Sequence, residues 1–198
     1  RFIRPDKELT EIDVATELKQ IAIARDKEQE DSYYRRRQLE IFDEIIKNSS
    51  VMDIEEELKL EPFFRRVSEV LSKGLNINRI ELLKKFMERE KISSTVVKEG
   101  IAIPHLIVEG KEIVKIVFVR NKKGTEFLDG RTVKTSIVIV SSPDKKHLHL
   151  KLLAYFLNMI EAPGFSNEWL LELKKEELIG KVIEFIKRQI AVESERFK

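Results

Sequence analysis

Cysteine is absent from the 198 residues, which excludes disulfide scaffolds, thiolate zinc sites and cysteine nucleophiles together. There is no excess of one charge either, since 37 Lys and Arg face 35 Asp and Glu, a formal +2. A nucleic-acid binder concentrates basic residues on one face, and so balanced a chain argues against that class. No apolar run approaches the ~18 residues of a membrane-spanning helix, and no signal-peptide pattern is present. Glycine numbers only 7, and neither Gly110-Lys111 nor Gly180-Lys181 has the upstream glycine of a phosphate-binding loop. His147 and His149 stand at i, i+2 without clustered carboxylates, poor spacing for metal ligands. Neither a cofactor nor a metal is therefore expected.

What is present is charge of both signs, 36% of the chain, as on the surfaces of heat-adapted proteins. The first residue is Arg1 rather than Met, which suggests a piece of something longer. Residues 1–48 contain no glycine and one breaker, Pro5. Val14, Leu18 and Ile21 recur at i, i+4, i+7, and Leu39, Phe42, Ile45 and Ile46 repeat a similar stripe. The spacing predicts one long or two shorter amphipathic helices, with Arg25 to Arg37 as a place for a break. Arg35-Arg36-Arg37 is flanked closely by acidic residues, so a solvated helix face is preferred to a nucleic-acid or headgroup site. Exposed apolar residues on these helices favour self-association into a homodimer.

From Val51 the pattern is that of a packed domain, set at 49–198 with 1–48 as a charged helical extension. Val51 to Ile54 reads as a short strand. Glu61-Pro62 opens a helix with Phe63, Phe64, Val67, Val70 and Leu71 as its apolar stripe and Gly74 as its stop. Asn78 caps a second helix ending near Arg89. Strands are expected at 101–103, 113–119 and 133–140, with turn chemistry at Asn121–Gly124 and Leu128–Gly130. Residues 148–160, 169–173 and 178–190 read as helices. Helices flanking a mixed central sheet make the class α/β.

The chemistry-bearing candidates start with His105. Gly100-Ile101-Ala102-Ile103-Pro104-His105 is an apolar strand running into Pro and then directly into His. Pro104 locks its own φ, so a stiff backbone presents the imidazole. Such a site suits a nucleophile that must meet another protein's phosphohistidine without reorganising, and a neutral imidazole nitrogen is a good phosphoryl acceptor. On spacing alone the signal is weak, because a lone His after a strand is more often structural.

Three runs, taken together, carry a resemblance. They are Arg89-Glu90-Lys91 with Ser93-Ser94-Thr95, then Gly100 to His105, then His149-Leu150-Lys151-Leu152-Leu153-Ala154. In this order and spacing the chain resembles the enzyme IIA family of the bacterial sugar phosphotransferase system, of the fructose, mannitol and nitrogen-related branches. The resemblance implies an enzyme IIA mannitol-like mixed sheet flanked by helices. It implies His105 as the phosphoryl acceptor, His149 close beside it, and Arg89 offering a guanidinium to the same anion. A bidentate cation and an imidazole N–H suit a transferring phosphoryl group. Residue 147 has no counterpart in the motif.

Lys98 and Leu106 depart from the family pattern, which favours small residues there. Leu106 is expected to set a bulky apolar side chain beside the acceptor, in the path of the phosphocarrier HPr, and so to slow transfer. Pro104 to Gly110, Val138 to Asp144, and Pro163-Gly164-Phe165 through Trp169-Leu170 resemble a divergent subgroup. Its members are cytoplasmic extensions of membrane transporters, amino-acid permeases and cation/proton antiporters among them. Arg1, Arg4 and Lys7 fit the cytoplasmic flank of a preceding membrane helix. The preferred expectation is thus a regulatory domain at the inner face of the cell membrane, attached to a transporter portion of the same chain. The alternatives are a working component passing phosphate from HPr through His105 to a sugar-specific enzyme IIB, and a structural module without chemistry. Whether the chain is an enzyme stays open.

Overall fold

Two long strands, β6 (Val114–Glu126) and β7 (Thr132–Ser141), pair antiparallel and organise the rest of the domain. Both are rich in Val and Ile, which suit a pleated surface buried on both faces. The computed structural model describes residues 11–75 and 77–195. The remaining strands are β1 (Ser50–Ile54), β2 (Leu58–Lys59), β3 (Val96–Lys98), β4 (Gly100–Ala102) and β5 (His105–Ile107). The sheet runs β1-β6-β7-β4-β3, with β2 also on β6 and β5 also on β7. β1 and β2 lie parallel to β6, β4 and β5 parallel to β7, and β3 antiparallel to β4. The free edge of β7 is thus shared, by β4 near its start and by β5 at its end.

Helices α2 (Leu60–Ser72) and α3 (Arg79–Ile92) cover one face. Asn78 caps α3, its side chain accepting from the Ile80 N–H at 2.8 Å. Phe63, Phe64, Val67, Leu71, Leu82 and Phe86 pack there against Val117, Val119, Val138 and Val140, with the Phe64 and Phe86 rings stacked at 4.9 Å. The alternate residues Ile116, Phe118, Ile137 and Ile139 are equally buried and face the other way. There Phe118 meets Phe156 of α4 (Lys146–Glu161) edge-on at 5.9 Å. The short α5 (Asn167–Glu172) follows, and α6 (Lys175–Glu195) buries Leu178, Val182, Ile186 and Ile190. Each such side chain contributes ~1.5–3 kcal/mol on burial.

The first helix, α1 (Glu11–Lys47), runs without a break through Arg25 to Arg37, so the single long helix is the form adopted. The chain divides into two compact units between Ile41 and Phe42. Phe42 and Ile46 are buried in the second unit, Phe42 edge-on to Tyr155 at 5.2 Å. The side chains of Val14, Leu18 and Ile21, like Arg1, Arg4 and Lys7, lie outside the described residues. Among the described residues no helix is long and apolar enough to cross a membrane.

Two expectations are corrected. Asn121–Gly124 is not a turn between strands but an irregularity inside β6, which resumes at Thr125. Asn121 Oδ1 accepts from the N–H groups of Lys123 and Gly124 at 3.1 and 3.0 Å, satisfying the backbone where the ladder is interrupted. Gly124 sits at φ +96, and a Cβ there would collide with Thr132.

The second correction concerns Leu106, which is not beside the acceptor. Successive side chains on a strand point to opposite faces. Leu106 is therefore 8% exposed and part of the core on the α2–α3 side, while Ile107, on the face of His105, is 44% exposed. This alternation predicts unequal losses by denaturant unfolding. Leu106→Ala should cost about 2–5 kcal/mol and Ile107→Ala less than about 1 kcal/mol; equal losses would show that the strand faces are misassigned.

Candidate functional site

Proline shapes the site before any side chain does. Pro104 has no N–H, so the edge strand breaks between β4 and β5, while its carbonyl still accepts from Ile139 N–H at 2.9 Å. Ile103 N–H is held by the Thr95 carbonyl at 2.9 Å. The Ile103 carbonyl is left for the histidine two residues on, whose Nδ1–H donates to it at 2.8 Å. That bond places the ring proton on Nδ1 and leaves the lone pair on Nε2. Arg89 Nη2 donates to this Nε2 at 3.1 Å.

Arg89 reaches the ring from the last turn of α3, and its Nη1 donates to the Ser93 carbonyl at 2.9 Å. Neither Glu88 nor Glu90 takes it: Glu88 pairs with Lys84 at 3.8 Å. Glu90 is only 3% exposed, and its carboxylate accepts from Thr95 N–H at 2.9 Å and Thr95 Oγ1 at 2.6 Å. A buried carboxylate is costly unless it is hydrogen-bonded in this way. The pair ties the end of α3 to β3 and so fixes where Arg89 stands.

His149 comes from the first turn of α4, which packs over the end of β7. Its ring centroid lies 5.8 Å from that of His105, at 63°. It is buried, with Nδ1 2.8 Å from Ser141 Oγ. The structure thus brings Arg89, His105 and His149 together, whereas His147 points to solvent. Lys98 donates to the Ile160 carbonyl at 3.1 Å and lies 5.5 Å over the Phe165 ring.

The electrostatics keep both rings uncharged at neutral pH. Burial lowers the pKa of His105, the Ile103 bond opposes that, and the Arg89 charge lowers it again. Burial and then the neighbouring His105 push His149 down to about 4. A neutral imidazole lone pair beside a guanidinium, half open to solvent, can attack an electrophile that carries negative charge.

Glu90, Thr95, Ser141 and the Ile103 carbonyl were not singled out for these roles from the sequence. Two left a trace. Leu82, Phe86 and Glu90 recur at i, i+4, i+8, so a carboxylate occupies the apolar stripe of α3. Ser141 likewise continues the alternate stripe Ile137, Ile139 with a hydroxyl.

Comparison with known proteins bears on the family and the fold. Residues 43–188 match the family described as phosphoenolpyruvate-dependent sugar phosphotransferase system, EIIA 2. Over 117 residues, 58% of the chain, it is 30% identical to the PTS system fructose-specific EIIABC component of Bacillus subtilis and spans 18% of that protein's length. Among solved structures it is similar in fold to nitrogen regulatory protein IIA-Ntr from Neisseria meningitidis. That likeness has a TM-score of 0.63 and 21% identity, and covers 72% of this chain and 99% of that one. IIA mannitol from Escherichia coli gives a TM-score of 0.53 at 21% identity, covering 68% of this chain and 95% of that one.

The depressed pKa of His149 has a consequence for stability. Unfolded, its imidazole takes up a proton as pH falls below about 6.5, whereas folded it does so only near pH 4. The contribution is therefore complete above pH 6.5 and is lost progressively towards pH 4, on the order of 3 kcal/mol in all. Denaturant unfolding across this window should show the decline in the wild type, and a flatter profile in His149→Gln, which cannot titrate. Parallel profiles would place the titration elsewhere.

Proposed function

Because the chain belongs to the EIIA 2 family of the phosphoenolpyruvate-dependent sugar phosphotransferase system, we propose that His105 Nε2 is its phosphoryl acceptor, charged by a phosphohistidine carrier of the HPr type. The observation that carries this reading is the pairing of Nδ1–H with the Ile103 carbonyl, which leaves Nε2 with the lone pair. In the transfer, the Nε2 lone pair forms a bond to phosphorus as the donor's P–N bond breaks, its electron pair returning to the donor ring. The positive charge that develops on the His105 ring is spread into the Nδ1–H···O=C bond. Arg89, whose Nη2 already donates to Nε2 at 3.1 Å, would then donate to the phosphoryl oxygens, where a charge-assisted bond is stronger. Lying in the core, Leu106 is no obstacle to the carrier's approach, and the residue that flanks His105 on the open face is Ile107.

A second reading has its own support: the same site belongs to a regulatory domain attached to a membrane transporter, at the cytoplasmic face. The match to less than a fifth of a longer, multi-component relative favours a place within a larger chain, and the charged helix α1 precedes the domain. A phosphoryl group or free anion beside Arg89 would then need to supply only ~1–3 kcal/mol of coupling to bias an equilibrium. The convergence of three polar side chains at one half-open site speaks against a purely structural module.

Incubation with phosphoenolpyruvate, enzyme I and HPr, followed by intact mass, tests the proposal. The expected result is a single added phosphate that is lost in acid and absent from His105→Ala. Arg89→Ala should retain the site and slow labelling by about 10²–10³-fold. No labelling, together with phosphate-dependent shifts of the His105 and His149 ring signals, would overturn transfer in favour of the regulatory reading.

A further inference from the structure

We propose that Ser141 is the positioning residue that fixes His149 as its Nε2–H tautomer, so that a donor rather than a lone pair faces a phosphoryl group on His105. The inference rests on the acceptor role proposed for His105.

The sheet register supplies the placement. His105 pairs with Ile139 and Ile107 with Ser141, and paired residues share a face of the sheet. The face of β7 that carries Ile137 and Ile139 beneath α4 therefore becomes polar at Ser141, the position over which His149 packs. Ser141 is fully buried. Its Oγ lies 2.8 Å from His149 Nδ1, its one side-chain hydrogen bond among the described residues. A buried hydroxyl whose proton finds no acceptor costs about 1–3 kcal/mol. Nδ1 is the acceptor within reach, so the hydroxyl donates to it and the ring proton resides on Nε2.

The neutrality of His149 makes this hydroxyl consequential. A protonated imidazole would offer donors at both nitrogens whatever lay beside it, but burial holds this ring uncharged near pH 7. Only one nitrogen then bears a proton, and the wrong tautomer would turn a lone pair towards negatively charged oxygens. His105 is fixed the opposite way, its proton on Nδ1 through the Ile103 carbonyl. Two adjacent neutral histidines are thus set to opposite tautomers, one by a carbonyl that accepts and one by a hydroxyl that donates. The first is prepared to attack and the second to hold what is attacked.

The test reads the tautomers directly, by long-range ¹H–¹⁵N correlation of the ring nitrogens in the full chain near pH 7.5. The expected wild-type pattern is His105 with Nδ1–H and His149 with Nε2–H. Ser141→Ala should leave His105 unchanged, which also reports that the variant is folded, and shift His149 towards Nδ1–H or a mixture. Ser141→Thr, which keeps the hydroxyl, should restore the wild-type His149 pattern. Phosphoryl transfer from HPr should fall about tenfold or more in Ser141→Ala with little change in the apparent KM for HPr. A wild-type His149 protonated at Nδ1, or a tautomer unmoved in Ser141→Ala, would overturn the inference. The tautomer measurement needs no phosphate, so absent labelling with the expected spectra would count against the acceptor role and not against Ser141.

Discussion

One hydrogen bond, from the Nδ1–H of His105 to the carbonyl of Ile103, is what the rest of the site depends on. It exists because a proline interrupts an edge strand: a residue without an N–H cannot continue the ladder, and the carbonyl before it is released from sheet duty. The bond does two things at once. It orients the ring, and it decides which nitrogen keeps its lone pair. Arg89 completes the arrangement because Nε2 can accept from it, and it could not do so were the proton on that side.

Around this bond, the domain's topology explains why distant segments meet. β7 lies at the centre, with β5 along the end of one edge and α4 rising from its C-terminus after a short 3-10 turn. A histidine opening α4 must therefore sit over the end of β7, next to a histidine opening β5. The third element, α3, is tied to β3 by the Glu90–Thr95 pair, and β3 is in turn paired with β4. Each of these three side chains is held by an element with its own buried anchor. Preorganisation of this kind stabilises developing charge without reorganisation at the moment of reaction.

The sequence disclosed most of this unevenly. Helices α2 and α3 were legible from the apolar stripe at Phe63, Phe64 and Val67 and from the cap at Asn78, because both signals are local. The long strands were legible from their Val and Ile content. β2, β3 and β5 were not, since two or three residues carry no period, and the pairing that makes them strands comes from β6 and β7. The side on which Leu106 lies could not be read for the same reason: a face is assigned only once a strand has a register. The site histidines were found through the order and spacing of motifs. The anchors of the site, Glu90 on Thr95 and Ser141 on His149, announced themselves only as polar residues on stripes that should have been apolar, a signal readable once the stripes themselves are known.

The shared edge of β7 also bears on how the molecule comes into being. Its pairings with β4 and β5 are parallel and join residues some thirty positions or more apart, the kind of contact that forms late and slowly in a folding chain. His105 acquires its surroundings only when those pairings close, and His149 only when α4 has docked beyond them. A collapsed but unregistered intermediate would hold every residue of the site and none of its geometry. The geometry of this cluster is therefore a report on complete folding, assembled only once the central strand has been enclosed on both edges.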